Sequence, residues 1–123
     1  MSRSEARVIT ERPHRYAKQL ASHFSRKLQT SWDEGTGRGT LAFSAGTATL
    51  TAEPGVLLLA VEGEAGNIEQ LENVVGRHLV RFGTKDELVA EWHRDNGESG
   101  TVQRNEQEHE QASEPEPDGV SAG

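Results

Sequence analysis

The sequence predicts an α+β fold: a two-layer sandwich with two helices packed on one face of a mostly antiparallel sheet, in the order strand, helix, three strands, helix, strand. Three observations carry this expectation. Two segments, 13–28 and 68–82, repeat apolar residues along a single helical stripe. Between them, β-branched and apolar runs alternate with turns rich in Gly and Pro. After the second helix, Leu88, Ala90 and Trp92 alternate with Val89, Glu91 and His93. A helix with one apolar stripe has one face to bury, so two such helices share a core with one sheet only from the same side.

In chain order, Val8 and Ile9 centre a short first strand over Ala6–Thr10. Pro13 suits the first turn of a helix, where its missing N–H would have had no partner. Behind it Tyr16, Leu20, Phe24 and Leu28 recur every fourth residue, which predicts helix one from Pro13 to Leu28. Gly35, Gly37 and Gly39 separate Ser31–Asp33 from three strand-like runs, Thr40–Ser44, Thr47–Thr51 and Val56–Glu62, punctuated by Gly46 and Pro54-Gly55, and these segments read as an antiparallel meander. Val56–Val61 is apolar at every position and is expected at the centre of the sheet, covered on both sides or in part by a loop. Asn67 and Gln70 form a capping-box pattern ahead of helix two, whose stripe is Ile68, Leu71, Val75, Leu79 and Phe82. Gly83 fits the position just past its end.

Charge divides the chain. Of 123 residues, 13 are Lys or Arg and 20 are Asp or Glu, and the net charge of −7 falls entirely on residues 95–123. That segment has little to bury beyond Val102 and Val120, so the expected organisation is one domain over 1–94 and an acidic disordered tail over 95–123. No Cys is present, which excludes disulfides, thiol nucleophiles and thiolate metal sites. The longest apolar run has six residues, against about 20 needed to span a bilayer. The amino end leads into no apolar signal segment. The chain therefore reads as a soluble cytoplasmic protein.

Few motifs survive scrutiny. Gly35, Gly37 and Gly39 lie between strands with no helix behind them, so they predict a hairpin turn, not a phosphate loop. No Ser sits in a nucleophile elbow. No two of the five His are three to five residues apart, the spacing a zinc helix would need. His14, His93 and His109 read as solvent-facing. His23 and His78 border the stripes of helices one and two, and side-by-side helices would bring them together. They are then either hydrogen-bonded boundary residues or a ligand, proton-relay or metal pair. Arg12, Arg15, Gln19, His23 and Arg26 are spaced by three, four, four and three residues, a cationic stripe beside the apolar one. Arg77 and Arg81 extend it from helix two. Such a face either pairs with acids of its own domain or grips carboxylates and phosphates. Nucleic acid is not expected, because the acidic tail opposes it and Tyr16, Phe24, Phe82 and Trp92 all fall on core positions.

Three segments together carry a resemblance: RVITERPHRYAKQLASHFSRK (7–27), WDEGTGRGTLAF (32–43) and VVGRHLVRFGTKDEL (74–88). Over residues 5–94 the chain resembles the bacterial family known as domain of unknown function 2218. The matching positions include Arg15, Tyr16, Lys18, Gln19, His23, Trp32, Asp33, His78, Arg81 and Phe82. The family has no established activity, so the resemblance implies no catalytic residue. Similar domains occur attached to, or encoded near, siderophore-interacting flavoproteins that reduce ferric siderophores. No flavin- or nicotinamide-binding segment occurs here, so no cofactor is expected and reductase chemistry would belong to such a partner.

The expected function is a small non-catalytic binding module of iron–siderophore metabolism. Its ligand surface is Arg12, Arg15, Gln19, His23 and Arg26 with His78 and Arg81, taking a ferric siderophore, another anionic small molecule or a partner's acidic surface. One alternative is an enzyme using His23 and His78 for a redox metal or acid–base chemistry. Another is a protein-interaction adaptor.

Overall fold

A computed structural model of the chain describes residues 2–83 and 87–104. The elements are β1 (Ser2–Ile9), α1 (Pro13–Phe24), β2 (Gln29–Asp33), β3 (Arg38–Phe43), β4 (Gly46–Glu53), β5 (Val56–Gly63), a 3-10 turn (Ala65–Asn67), α2 (Ile68–Phe82), β6 (Val89–Arg94) and β7 (Ser99–Arg104). The two-layer α+β sandwich is the one expected, with more strands: four between the helices and a seventh at the end. The sheet order is β2-β3-β4-β5-β1-β6-β7, so the first strand is inserted between β5 and β6. Its register runs from Ser2 opposite Gly63 to Ile9 opposite Val56.

Alternation decides which face carries the helices. Ala6 and Val8 of β1, Leu57, Leu59 and Val61 of β5, Ala48 and Leu50 of β4, and Ala90 and Trp92 of β6 are all buried on one side. Tyr16, Ala17, Leu20, Ala21 and Phe24 of α1, with Ile68, Leu71, Val75 and Leu79 of α2, close over them. The continuous apolar run of β5 occupies the middle of the sheet as expected. On its second side Leu58 and Ala60 are only half-buried, between Arg7, Arg38, Thr49 and Thr51. Cover there comes from neighbouring side chains, since an antiparallel sheet tolerates one wet face.

Helix ends differ in detail from expectation. α1 begins at Pro13 with the Arg12 N–H donating to Thr10 Oγ1 at 3.0 Å. It stops at Phe24, not Leu28, where the Ser25 hydroxyl donates to the Ser22 carbonyl at 2.7 Å and the chain turns toward β2. Asn67 precedes α2 without capping it; its amide donates instead to the Ala45 carbonyl at 3.4 Å. The capping-box reading is therefore wrong, because that side chain is committed to the β3–β4 turn.

The larger correction concerns the carboxyl end. The domain does not stop at residue 94: Asp95–Glu98 form a hairpin turn and β7 pairs with β6. Gly97 takes φ of 91°, and Asn96 Oδ1 accepts the Glu98 N–H at 2.9 Å, the Asn-Gly chemistry of a tight hairpin. Residues 105–123, with His109 and the Glu114–Pro117 stretch, lie outside the described residues.

β7 is poor in apolar residues because a polar network ties it down. Glu72 of α2 is fully buried, and both its oxygens accept from Arg94 at 3.0 Å. The Thr101 N–H and hydroxyl donate to Glu72 Oε1 at 3.0 Å each. Next to them, buried Gln103 accepts from the Trp92 indole at 2.6 Å and donates to Asn73 and Thr101 at 3.1 and 2.7 Å. Two glycines make room. A Cβ on Gly76 would collide with the Gln103 amide, and one on Gly100 with the Glu72 carboxylate and Trp92.

Two outcomes follow from this packing. Gly76→Ala is expected to destabilise by about 1–3 kcal/mol, the range for overpacking, although alanine alone favours a helix by about 1 kcal/mol. The Gln103 side chain that would have to move is held by three partners. Glu72→Gln should cost about 3 kcal/mol at neutral pH, near the low end for breaking a buried pair, because Arg94 keeps some solvent contact. Burial pushes the Glu72 carboxyl up, but hydrogen bonds from Arg94, Ser4 and Thr101 outweigh it and hold the group below its ordinary value of 4.5. Its contribution is thus present above that value and lost as pH falls through the lower, folded one. Urea titrations at pH 7 and in acid check both: the Glu72→Gln deficit should shrink in acid, whereas that of Gly76→Ala should not.

Candidate functional site

α1 covers β2 to β5 and α2 covers β5, β1, β6 and β7, so the helices meet side by side over the sheet centre. At that seam the sequence expectation for His23 and His78 holds in space. Their ring centroids lie 5.0 Å apart, tilted by 44°. Aromatic side chains frame the pair: Phe24 lies 4.9 Å from His78, Phe82 lies 5.5 Å from His23, and Phe24 meets Phe43 at 5.3 Å.

The two imidazoles differ in role. His78 Nδ1 lies 2.7 Å from the Val74 carbonyl. A carbonyl only accepts, so Nδ1 carries a proton and Nε2 is left as the free position. His23 is more exposed and sits in a cationic field. Desolvation of its ring, then the neighbouring His78, Arg26 and Lys27, push its pKa below the ordinary 6.5. A bound anion would reverse that displacement.

Outside the pair, Arg15, Lys18, Gln19, Ser22, His23 and Phe82 line one open groove along α1. Three of the expected ligand residues, Arg15, Gln19 and His23, therefore share a surface. Lys18, Ser22 and Phe82 join them; Phe82, expected in the core, is only half-buried and forms the aromatic wall. Lys18 reaches Glu34 across an exposed 3.6 Å, a contact that salt and solvent weaken. His78 stands behind His23.

The remaining expected residues separate. Arg12 precedes the helix and lines another depression with Ile9, Thr10, Glu11 and Gly55, so the stripe does not continue to it. Arg26 lies in the turn after α1, outside the groove lining, and acts on His23 through charge. Arg81 is exposed on α2 beside Phe82. The glycine-rich segment 34–37 is the β2–β3 turn, with Gly37 at φ of 70°. His14 packs edge-on against Trp32 at 6.2 Å. Among the described residues no three His, Asp or Glu side chains gather in a way that would hold a metal, so the imidazole pair offers two donors.

The family model for an uncharacterized protein conserved in bacteria, DUF2218, matches residues 5–93. The chain belongs to this family. The DUF2218 domain is also similar to a solved structure, the NMR structure of PA4090 from Pseudomonas aeruginosa. The two are 27% identical, with a TM-score of 0.56, covering 85% of this chain and 95% of that one. No curated protein matches the chain. Among the described residues no helix is long and apolar enough to cross a membrane.

The electrostatics of the seam can be read at His23 by NMR. Its titration midpoint is expected below 6.5 in the native chain. Replacing both Arg26 and Lys27 with Gln should raise it; an unmoved midpoint would show that these cations do not act on the ring.

Proposed function

We propose that this DUF2218 domain is a non-catalytic binding module of iron–siderophore metabolism, with the α1 groove as its ligand surface. The observation that carries the reading is the grouping of Arg15, Lys18, Gln19 and His23 around the exposed edge of Phe82. A ferric catecholate is bulky, aromatic and anionic. Guanidinium and ammonium groups neutralise its charge, and guanidinium and phenyl faces accept its rings by stacking. Gln19 and Ser22 add neutral hydrogen-bonding positions. Nothing in the groove needs to react with the ligand, so holding and presenting it is the role the chemistry supports. The proposed partner is a siderophore-interacting flavoprotein, which would supply the reduction.

A fluorescence-quenching titration of the full chain with a ferric tris-catecholate complex tests the ligand. Saturable binding is expected. Arg15→Ala with His23→Ala should weaken it about tenfold or more, equivalent to about 1.4 kcal/mol. Absence of saturation for catecholate, hydroxamate and carboxylate siderophores alike would end the siderophore reading.

The 5.0 Å approach of His23 and His78 favours a second reading, in which the pair binds a redox metal or moves a proton. Stoichiometric iron or copper that survives dialysis and disappears in His78→Ala would transfer the site to that reading.

A further inference from the structure

Residues 105–123 contain six Asp or Glu and no Lys or Arg. The described part ends at Arg104, and its position sets where that charge is delivered. β7 advances along α2 in the same direction as the helix: Thr101 meets Glu72, and Gln103 lies against Gly76. Continuing that direction leads toward the carboxyl half of α2, which carries Arg77 and Arg81 on exposed positions. Arg104 itself pairs with Val89. Leu88, the residue before Val89, touches the site where a Gly83 Cβ would stand, and Gly83 follows Phe82 in the groove wall. The chain therefore leaves the fold at the end of the sandwich where the groove opens.

We propose that segment 105–123 docks in cis on the cationic seam formed by Arg77 and Arg81 of α2 and Arg15, Lys18 and His23 of α1, and competes there with anionic ligands. This rests on the proposed function only for the competing ligand; the docking itself does not need it. Reach is sufficient, since an extended chain covers about 3.3 Å per residue. The 19 residues after Arg104 thus span up to about 60 Å when extended. Tethering places the segment at an effective concentration of about millimolar. A contact of only millimolar intrinsic affinity then occupies the groove for a substantial fraction of the time. Its strength comes from charge, so it fades once salt shortens the screening length from about 10 Å at 0.1 M to about 3 Å at 1 M.

The other arginine-bearing surface, Arg3, Arg7 and Arg38 on the open sheet face, is less suited. Arg3 is already bound by Glu5 and Glu62 at 2.8 and 2.7 Å. Glu5 also lines that depression. At the seam of α1 and α2, Lys18 meets Glu34 only across an exposed 3.6 Å.

The test compares the full chain with a full-length variant carrying E106Q, E108Q, E110Q, E114Q, E116Q and D118N, by amide NMR in low and high salt. Docking predicts shift differences confined to Arg15–His23 and Arg77–Phe82 that vanish at about 1 M salt, where screening is nearly complete. It also predicts a lower His23 midpoint in the variant, because the segment's carboxylates no longer favour the imidazolium. In titrations with ferric tris-catecholate the variant should bind about twofold more tightly, the gain expected when a tethered competitor of that strength is removed. No shift differences, or differences centred on Arg3, Arg7 and Arg38, would overturn the docking whether or not the catecholate binds. Shift differences at the seam with no catecholate binding by either protein would sustain the docking and sink the siderophore reading alone.

Discussion

A buried carboxylate organises one half of this molecule. Glu72 lies on the apolar face of α2 with no solvent contact, a position that an unpaired charge cannot hold. Arg94 at the end of β6 and Thr101 on β7 satisfy it from two strands at once. The consequence is geometric: α2 is held at one azimuth and one axial position over β6 and β7. His78, six residues further along the same helix, then faces α1, and Phe82 reaches the groove. The opposite half is built around an apolar core, with Leu20, Leu41 and Leu50 excluded from solvent.

Between the halves lies the seam where the candidate chemistry sits. There the ring of His23 is desolvated first and then lies near His78, Arg26 and Lys27, and all of these lower its proton affinity. That environment arises from the packing of α1 beside α2. The grouping includes an aromatic side chain, Phe82. The insertion of β1 between β5 and β6 makes this possible: it separates the strands that follow α1 from those that follow α2, giving each helix its own half of the sheet.

Much of the architecture was legible from periodicity. Tyr16, Leu20 and Phe24 at every fourth position announced α1, and Leu88, Ala90 and Trp92 at every second announced β6, because each side chain's neighbours are dictated locally. The convergence of His23 and His78 followed from the same spacing, given two helices on one face. Arg12 falls off the stripe because a helical wheel assumes that the helix extends to it, whereas α1 begins at Pro13. β7 was missed because its partners are polar. Val102 alone suggested nothing to bury, yet Asn96-Gly97 was a hairpin signal in plain view, and Glu72 between Leu71 and Val75 marked a carboxylate on a buried stripe.

Local patterning thus determined the element types, the inward-facing residues and the single-sided stacking of the helices, since these depend on side-chain spacing along one segment. Strand order, the place of β1, the inclusion of residues 95–104 and the membership of the groove were decided only by tertiary structure. Each depends on contacts between residues far apart in the chain: Ser2 with Gly63, Arg94 with Glu72, Phe82 with His23. The free energy of such contacts exists only once the intervening chain has folded, and no window of sequence contains it.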